Sequence, residues 1–115
     1  MGVLVLPEVG SEDWIPQAAD FVSQIEGVQV AAAAGVVDGN IVISGRNWES
    51  DLNCGEIFKE NFDKLGSAGG HKSMAKAVIP EDNWLDHFGA KSLTATKAKL
   101  LIQKIIVKGV AKQSA

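Results

Sequence analysis

The sequence predicts an α/β fold, a compact single domain in which a mixed β-sheet is flanked by about three helices. The first observation is a β-rich run, Val28–Val37, which the turn signal Asp38-Gly39-Asn40 separates from a second apolar stretch, Ile41–Ser44, as in a hairpin. The second is helical spacing of apolar residues on both sides of this hairpin. The third is the length of 115 residues, which is enough to bury one core without disulfides or a metal.

Local signals place the other elements around the hairpin, in the order strand, helix, two strands, helix, strand, helix. Val3–Leu6 is a short apolar run that stops at Pro7, which predicts the first strand. The first helix is expected to begin after Asp13, a residue suited to capping, and to end at Gly27.

The second helix is expected after the hairpin, with Asp51 as its cap and Gly66 at its end. Its apolar residues fall on one face and predict a contribution to the core: Cys54, Ile57, Phe58, Phe62 and Leu65. Ser67–Gly70 is rich in small residues and predicts a loop.

The last part of the chain predicts a strand at Ala77–Ile79, which Pro80 ends, and a helical turn at Asn83–Phe88. The final helix is expected over Thr94–Lys108, with Gly109 as terminator, although its centre is also compatible with a strand by periodicity.

Three tryptophans are the largest side chains. Trp14 and Trp84 stand at helix starts and are expected in the core, whereas Trp48 follows a strand in a predicted loop. At Trp48 two interpretations remain open, a lid on the core or a surface that stacks on a nucleobase.

The net charge of −3 argues against a nucleic-acid binder that uses its whole surface. The charge is nevertheless uneven, since no acidic residue follows Asp86 and six lysines do: Lys91, Lys97, Lys99, Lys104, Lys108 and Lys112. These lysines form either a solvated helix face or an electrostatic funnel for a polyanion.

One cysteine rules out an internal disulfide and fits a reducing compartment. No apolar stretch approaches the length of a membrane span, and the first residues lack the basic region of a signal peptide. We therefore expect a cytoplasmic protein with no membrane partner.

The first candidate site is the run Gly69-Gly70-His71-Lys72. Paired glycines let backbone amides approach a ligand, and His71 can donate a hydrogen bond to a phosphate or carboxylate oxygen. If a helix begins at His71, its free amides favour an anion there. The alternative is a tight turn with a structural histidine.

The second candidate is Arg46, the only arginine, expected just past the strand Ile41–Ser44. Its planar guanidinium suits a phosphate or carboxylate better than a lysine ammonium does. The alternative is a surface salt bridge to Glu49 or Asp51.

No catalytic or metal-binding cluster is predicted. The two histidines, His71 and His87, have no second ligand at a recognisable spacing, and no order of serine, histidine and aspartate suggests a triad. Cys54 lies on an apolar helix face, which predicts an inert thiol. We expect no cofactor in this chain.

Together these residues resemble a known family. The run GSAGGHKSMAKAVIP, about twenty residues after a strand ending in ISGRN, resembles DHH-associated domain 1. That domain is the C-terminal substrate-binding part of DHH phosphoesterases, which include RecJ-like nucleases, oligoribonucleases and exopolyphosphatase-related enzymes. The likeness is carried by residues 28–80, and the opening segment is similar to the entry helix of such domains. Residues 1–115 would then form one such domain.

The resemblance implies that the glycine-rich loop and its histidine contact the phosphate or nucleotide end of a substrate. It also matches Arg46 to a strand arginine that holds a phosphate. The implied substrate-binding residues are Arg46, Gly69, Gly70, His71 and Lys72. The chain departs from the family at Ala68, where many members have a third glycine, and alanine fits poorly if the backbone there needs positive φ.

The resemblance further implies that the Asp-His-His motif and the ligands for manganese or magnesium belong to a preceding catalytic domain. Met1 stands directly before the first strand, so we expect a C-terminal piece of a hydrolase that binds but does not cut. Expected partners are a phosphate-bearing substrate, namely a short oligonucleotide or nucleotide, and the catalytic DHH domain; a homodimer is an open possibility.

Three other interpretations remain. One is a nucleic-acid-binding module similar to the tRNA-binding C-terminal domain of alanyl-tRNA synthetase. Another is part of a phosphatase directed at polyphosphate. The third is a structural or dimerisation domain whose glycine pair only makes a turn.

Overall fold

The computed structural model describes residues 2–5, 14–24, 30–48 and 51–114, and these form a mixed α/β fold as predicted. One five-stranded sheet has the strand order β1-β2-β3-β5-β4. The strands are β1 (Gly2–Val5), β2 (Val30–Val37), β3 (Asn40–Asn47), β4 (Ser67–Gly70) and β5 (Met74–Pro80). The described helices are α1 (Trp14–Ser23), α2 (Cys54–Phe62), α3 (Glu81–Phe88) and α4 (Ala95–Ser114), with a 3₁₀ turn at Asp63–Leu65.

The predicted hairpin is present, and it is longer than expected. β2 and β3 pair antiparallel from Val37 opposite Asn40, and Asp38 and Gly39 both have positive φ, 51° and 78°, as a two-residue hairpin turn requires. β1 pairs parallel to β2, whereas the other neighbouring strands are antiparallel. Because β3 continues to Asn47, Arg46 lies inside the strand and not beyond its end.

Side chains of the central strands alternate between two covered faces. On the first face, which we call the α2–α4 face, Ala32, Ala34 and Ile43 pack with residues of α2, α3 and α4. On the opposite face, the α1 face, Ala33 and Val42 pack against α1. Cover on both faces explains why the apolar run of β2 is uninterrupted.

The main core lies on the α2–α4 face. The apolar residues predicted on one face of the second helix are all buried there, and the Phe58 and Phe62 rings meet edge to face at 5.3 Å. Trp84 of α3, 1% exposed, and Ile102 of α4 complete this layer. The core therefore joins three helices to one side of the sheet.

Ser67–Gly70 is a strand and not the predicted loop. β4 pairs with β5 from Ser67 opposite Val78 to Gly70 opposite Ala75, and it also contacts α2. Small residues have low intrinsic strand propensity, so the pairing and packing partners decide the conformation here. A tight turn joins β4 to β5, and no helix begins at His71.

The helix ends also differ from the prediction. Asn53, and not Asp51, caps α2, since its side-chain oxygen accepts a hydrogen bond from the amide of Glu56 at 3.0 Å. α4 continues through Gly109, where a Cβ atom would lie 2.7 Å from Cγ2 of Ile57. Glycine at this position allows α2 and α4 to approach and does not end the helix.

The segment Glu81–Phe88 forms a complete helix, α3, where the sequence suggested only a helical turn. α3 has eight residues and ends at Gly89, whose φ of 66° is the left-handed conformation common at helix ends. The fold thus has four helices in its described residues against about three expected. The expected boundary residues Asp13, Gly27 and Val28 lie outside the described residues.

The burial of the three tryptophans differs from the prediction. Trp84 is buried, but Trp14 is 61% exposed, so its expected place in the core was wrong. α1 turns Ile15 and Ala19 towards the sheet, and Trp14 lies about 100° away around the helix. Trp48 is 69% exposed, which excludes the lid on the core.

None of the helices within the described ranges has the combination of length and apolar character that a membrane crossing needs.

Candidate substrate-binding site

Arg46 is held in place on the α1 face. The strand alternation puts it on the same side as Val42 and Ser44, next to α1. Its Nε donates to Oδ1 of Asp20 at 2.7 Å, and its Nη1 donates to the carbonyl oxygen of Gly45 at 2.9 Å. The salt bridge therefore reaches α1, a partner that the sequence analysis did not consider; Glu49, one of the expected partners, lies outside the described residues.

A shallow pocket of about 330 Å³, the Arg46 pocket, lies beside this side chain. In the described part of the chain α1 packs against β1, β2 and β3 and does not extend over β4 or the start of β5, and the pocket lies there. Its walls are largely carbon atoms around two cationic side chains, and they comprise Pro16, Ser44, Arg46, Gly69, Gly70, Met74, Ala75 and Lys76. The pocket can therefore receive an anion together with an apolar group.

The turn between β4 and β5 directs its backbone carbonyls inward. The carbonyl oxygen of His71 accepts from the amide of Gly55 at 2.9 Å, and that of Lys72 accepts from the amide of Cys54 at 2.9 Å. The amide of His71 donates to Met74 across the turn at 2.7 Å. The side chains of His71 and Lys72 are consequently exposed.

These bonds use the first amides of α2. Cys54 and Gly55 donate to the turn, and Glu56 and Ile57 donate to the side-chain and main-chain oxygens of Asn53 at 3.0 and 3.2 Å. The bond from Ile57 is the first regular bond of the helix, and the three amides before it all have partners outside the helical ladder. The start of α2 therefore has no free amide for an anion, and the helix that would have offered one at His71 is not formed. Side chains supply the positive charge at this end of the sheet.

Two asparagines that the sequence analysis missed hold this region together. Asn47 is buried, and its Nδ2 donates to the carbonyl oxygens of Leu52 at 2.8 Å and Lys72 at 3.3 Å. Its amide also donates to Ser73 at 3.0 Å. Asn53 carried a signal in the sequence, because an asparagine three residues before a glutamate is typical of a helix start. Asn47 had no such signal.

A second shallow pocket, the His71 pocket, lies on the other side of the edge strand and has a volume of about 400 Å³. It is more polar than the first, and its walls comprise Asn53, Gly55, Glu56, Lys59, Ala68, Gly69, Gly70, His71 and Lys72. The five predicted site residues are thus divided, with Arg46 in one pocket, His71 and Lys72 in the other, and Gly69 and Gly70 common to both.

The two glycines have different structural roles. Gly70 has φ of 152°, and a Cβ atom there would lie 2.3 Å from the carbonyl oxygen of Met74, so only glycine fits. At Gly69 a Cβ atom would meet nothing within 4 Å. The fold requires Gly70, whereas Gly69 keeps a surface open.

Ala68 does not distort the strand. Among the described residues Asp38 is the only non-glycine residue with positive φ, and Ala68 pairs with Ala77 in ordinary extended backbone. The third glycine that the family resemblance implies at this position is therefore not needed here for the backbone.

Cys54 is an inert thiol, as predicted. It is 2% exposed, and burial raises its pKa to about 11, against a smaller lowering by the Arg46 guanidinium. Within the described ranges no three His, Cys, Asp or Glu side chains gather where they could hold a metal ion. The manganese or magnesium of the implied phosphoesterase therefore has no fitting ligand set in this part of the chain.

Known proteins similar to this chain include an uncharacterised protein of Methanocaldococcus jannaschii, 38% identical over 73 residues. That match covers 64% of this chain and 14% of the relative, so the chain spans a small part of its length.

Two solved structures are similar in fold. The C-Ala domain of Aquifex aeolicus alanyl-tRNA synthetase has a TM-score of 0.60 and 19% identity, with 90% of this chain and 88% of that chain covered. A pGpG-specific phosphodiesterase from Vibrio cholerae has a TM-score of 0.47 and 21% identity, with 92% and 34% covered.

The family comparison covers nearly the whole chain. The model of the DHHA1 domain matches residues 2–105, a segment that contains both pockets and every predicted site residue. The chain therefore belongs to the DHHA1 domain family.

Proposed function

We propose that this domain binds the phosphate-bearing end of a short oligonucleotide or phosphorylated nucleotide and presents it to a separate, metal-dependent DHH phosphoesterase domain. The observation that carries the proposal is Arg46, whose guanidinium is fixed beside an open pocket at the exposed edge of the sheet. Family membership supports the association with a catalytic domain.

The geometry around Arg46 suits a phosphate. The bonds to Asp20 and Gly45 use Nε and Nη1, which in the described part of the chain leaves Nη2 for a ligand. A guanidinium that is already oriented loses less side-chain entropy when it binds an anion. Lys76 adds a second positive charge to the pocket wall.

The two domains would have separate roles in catalysis. Metal ions in the other domain would activate the attacking water and stabilise the developing charge. This domain would hold the substrate end so that the scissile phosphate stays at the attacking water, which is a positioning effect. His71 and Lys72 belong to the proposed contact surface because they project outward beside the shared glycines.

Calorimetric titration with a dinucleotide tests the proposal. We expect saturable binding that Arg46→Lys weakens roughly tenfold or more, because a charge-assisted pair of hydrogen bonds contributes ~1.5–3 kcal/mol and lysine cannot reproduce its geometry. Lys64→Gln, which removes an exposed lysine outside both pockets, is the control and should bind as the natural protein does. Equal affinities for all three proteins would contradict the role of Arg46.

A second candidate function is a general nucleic-acid-binding module. It is favoured by the exposed lysines of α4, Lys97, Lys99, Lys104 and Lys108, after a point where acidic residues cease. Lys112 of the same helix pairs with Glu60 at 3.4 Å. A module that follows a long backbone would lose affinity steeply with salt, whereas a site for one or two phosphates would lose little. Repeating the titration at 50 and 200 mM salt, roughly the range over which such losses become large, separates the two.

A further inference from the structure

The end of α4 is bonded to the residue that precedes α2. The side chain of Gln113 accepts a hydrogen bond from the amide of Asn53 at 2.7 Å and donates one to the carbonyl oxygen of the same residue at 3.1 Å. We infer that Gln113 is a positioning residue, which holds the start of α2 so that the turn between β4 and β5 presents His71 and Lys72 outward. Its effect on ligand binding rests on the proposed function, whereas its effect on the turn does not.

Asn53 is the cap of α2, and Gln113 completes the bonding of this cap. The backbone of Asn53 is extended, with φ of −121° and ψ of 100°, and its side chain accepts from the amide of Glu56. Its own amide precedes the helical ladder and cannot bond within it, so this amide needs a partner outside the helix. Gln113 is that partner, and each amide of residues 53–56 then has a bond.

The planarity of the peptide bond extends this restraint to the turn. The carbonyl of Asn53 and the amide of Cys54 belong to one peptide unit and point in opposite directions. A side chain that fixes this carbonyl therefore also fixes the direction of the amide, which donates to the carbonyl oxygen of Lys72 at 2.9 Å. The carbonyl oxygen of Asn53 also accepts the first helical bond, from Ile57 at 3.2 Å, so both of its acceptor positions are used.

The His71 side of the turn lies directly against the helix start. The carbonyl oxygen of His71 accepts from the amide of Gly55 at 2.9 Å, and a Cβ atom on Gly55 would lie 2.9 Å from the same oxygen. Asn47 holds the other side of the turn, through the carbonyl oxygens of Lys72 and Ser73. A shift of the helix start would therefore change the direction of the His71 side chain first.

Gln113 lies outside the segment that matches the family model, which ends at residue 105. The last turns of α4 reach α2 because Gly109 lets the two helices approach, since a Cβ atom there would lie 2.7 Å from Cγ2 of Ile57. Gln113 stands one turn beyond Gly109 and extends this contact to the helix start. The matched segment alone does not supply the restraint.

Nuclear magnetic resonance of Gln113→Ala tests the effect on the turn. The amide proton signals of residues 54 and 55 should move upfield, because their hydrogen bonds weaken, and the signals of His71 and Lys72 should move with them. The control is Gln103→Ala, the same substitution at an exposed position of α4, which should leave all of these signals in place. Gln113→Asn should behave like Gln113→Ala, because a side chain one carbon shorter cannot reach both backbone groups of the cap.

Calorimetric titration of the same variants with a dinucleotide tests the effect on binding, at a temperature where every variant is folded. We expect Gln113→Ala to bind about threefold to tenfold more weakly, the range that corresponds to one hydrogen bond. Gln103→Ala should bind as the natural protein does. A residue that only stabilises the fold would lower the melting temperature on substitution and leave the affinity and the signals of the turn unchanged.

The outcomes separate this inference from the proposed function. If the signals of His71 and Lys72 stay in place in Gln113→Ala, the positioning role is wrong, whatever the protein binds. Signals that move while the dinucleotide affinity stays unchanged overturn the part of Gln113 in binding and leave the proposed function standing. If the signals move but the natural protein binds no dinucleotide, Gln113 positions the turn and the proposed function is wrong.

Discussion

The two faces of the sheet differ in how much of their area the helices cover. The α2–α4 face is covered by three helices and holds the main core, whereas on the α1 face the described residues supply one helix, which packs over β1, β2 and β3. Residues adjacent in sequence therefore have different surroundings. A Cβ atom on Gly45 would lie 2.7 Å from Sγ of Cys54, while its neighbour Arg46 borders an open pocket. Alternation along one strand thus separates the packing role from the proposed binding role.

The largest expected effect is the loss of a core side chain from the α2–α4 face. Trp84→Ala should lower the free energy of unfolding by ~3–5 kcal/mol, because it empties a fully buried site. Trp14→Ala, on the exposed side of α1, should cost less than about 0.5 kcal/mol. Urea denaturation of both variants measures the difference. Similar costs would contradict the burial of Trp84 in the main core and the exposure of Trp14.

The next largest effect is the difference in stability between alanine variants of the two glycines of β4. Gly70→Ala should cost about 3 kcal/mol, because the backbone is in a conformation that alanine avoids and the new atom meets Met74 and Ala75. Gly69→Ala should change stability by less than ~0.5 kcal/mol, since its Cβ atom enters open space. Thermal denaturation followed by circular dichroism distinguishes them. An equally large loss at Gly69 would show that this glycine too is required by the fold.

The smallest effect is a pH dependence caused by the buried thiol. The pKa of Cys54 is about 11 in the folded protein against 9.0 for an unperturbed thiol. The unfolded chain therefore releases this proton first, and stability is complete below pH 9 and falls as the pH rises towards 11. The loss is at most ~2.7 kcal/mol, since one pKa unit corresponds to 1.36 kcal/mol.

Cys54→Ala is the matched variant for this measurement, because the lysines titrate in both proteins. Urea midpoints at pH 8, 9, 10 and 11 should decline less steeply in the variant than in the natural protein. Parallel curves would mean that burial does not hold the thiol in its protonated form.

The sequence predicted the parts of the fold that carry strong periodic or turn signals. The hairpin around Asp38 and Gly39 and the buried face of α2 were of this kind. It did not predict β4, because these small residues adopt a strand only through pairing with β5 and packing against α2. Gly109 was misread for a related reason, because only the approach of Ile57 explains a glycine inside α4.

The sequence indicated which residues belong to the candidate site, but it did not indicate how they are distributed between the two pockets. Arg46, the glycine pair and His71 stood out by residue type, but their division between two pockets depends on strand register and on where α1 ends its cover. The salt bridge to Asp20 joins residues 26 positions apart, and no local pattern indicates it. Lys59 lines the His71 pocket only because the fold puts α2 beside the turn between β4 and β5.

The start of α2 has one more partner, which bears on the order of folding. Gln113 accepts a hydrogen bond from the amide of Asn53 at 2.7 Å and donates to its carbonyl oxygen at 3.1 Å, across 60 positions. It lies beyond the residues that match the family model. During synthesis the turn at His71 can form early, but its supporting helix start stays incomplete until residue 113 has left the ribosome and α4 has docked. The edge of the sheet that carries both pockets would then be among the last regions of the domain to become rigid.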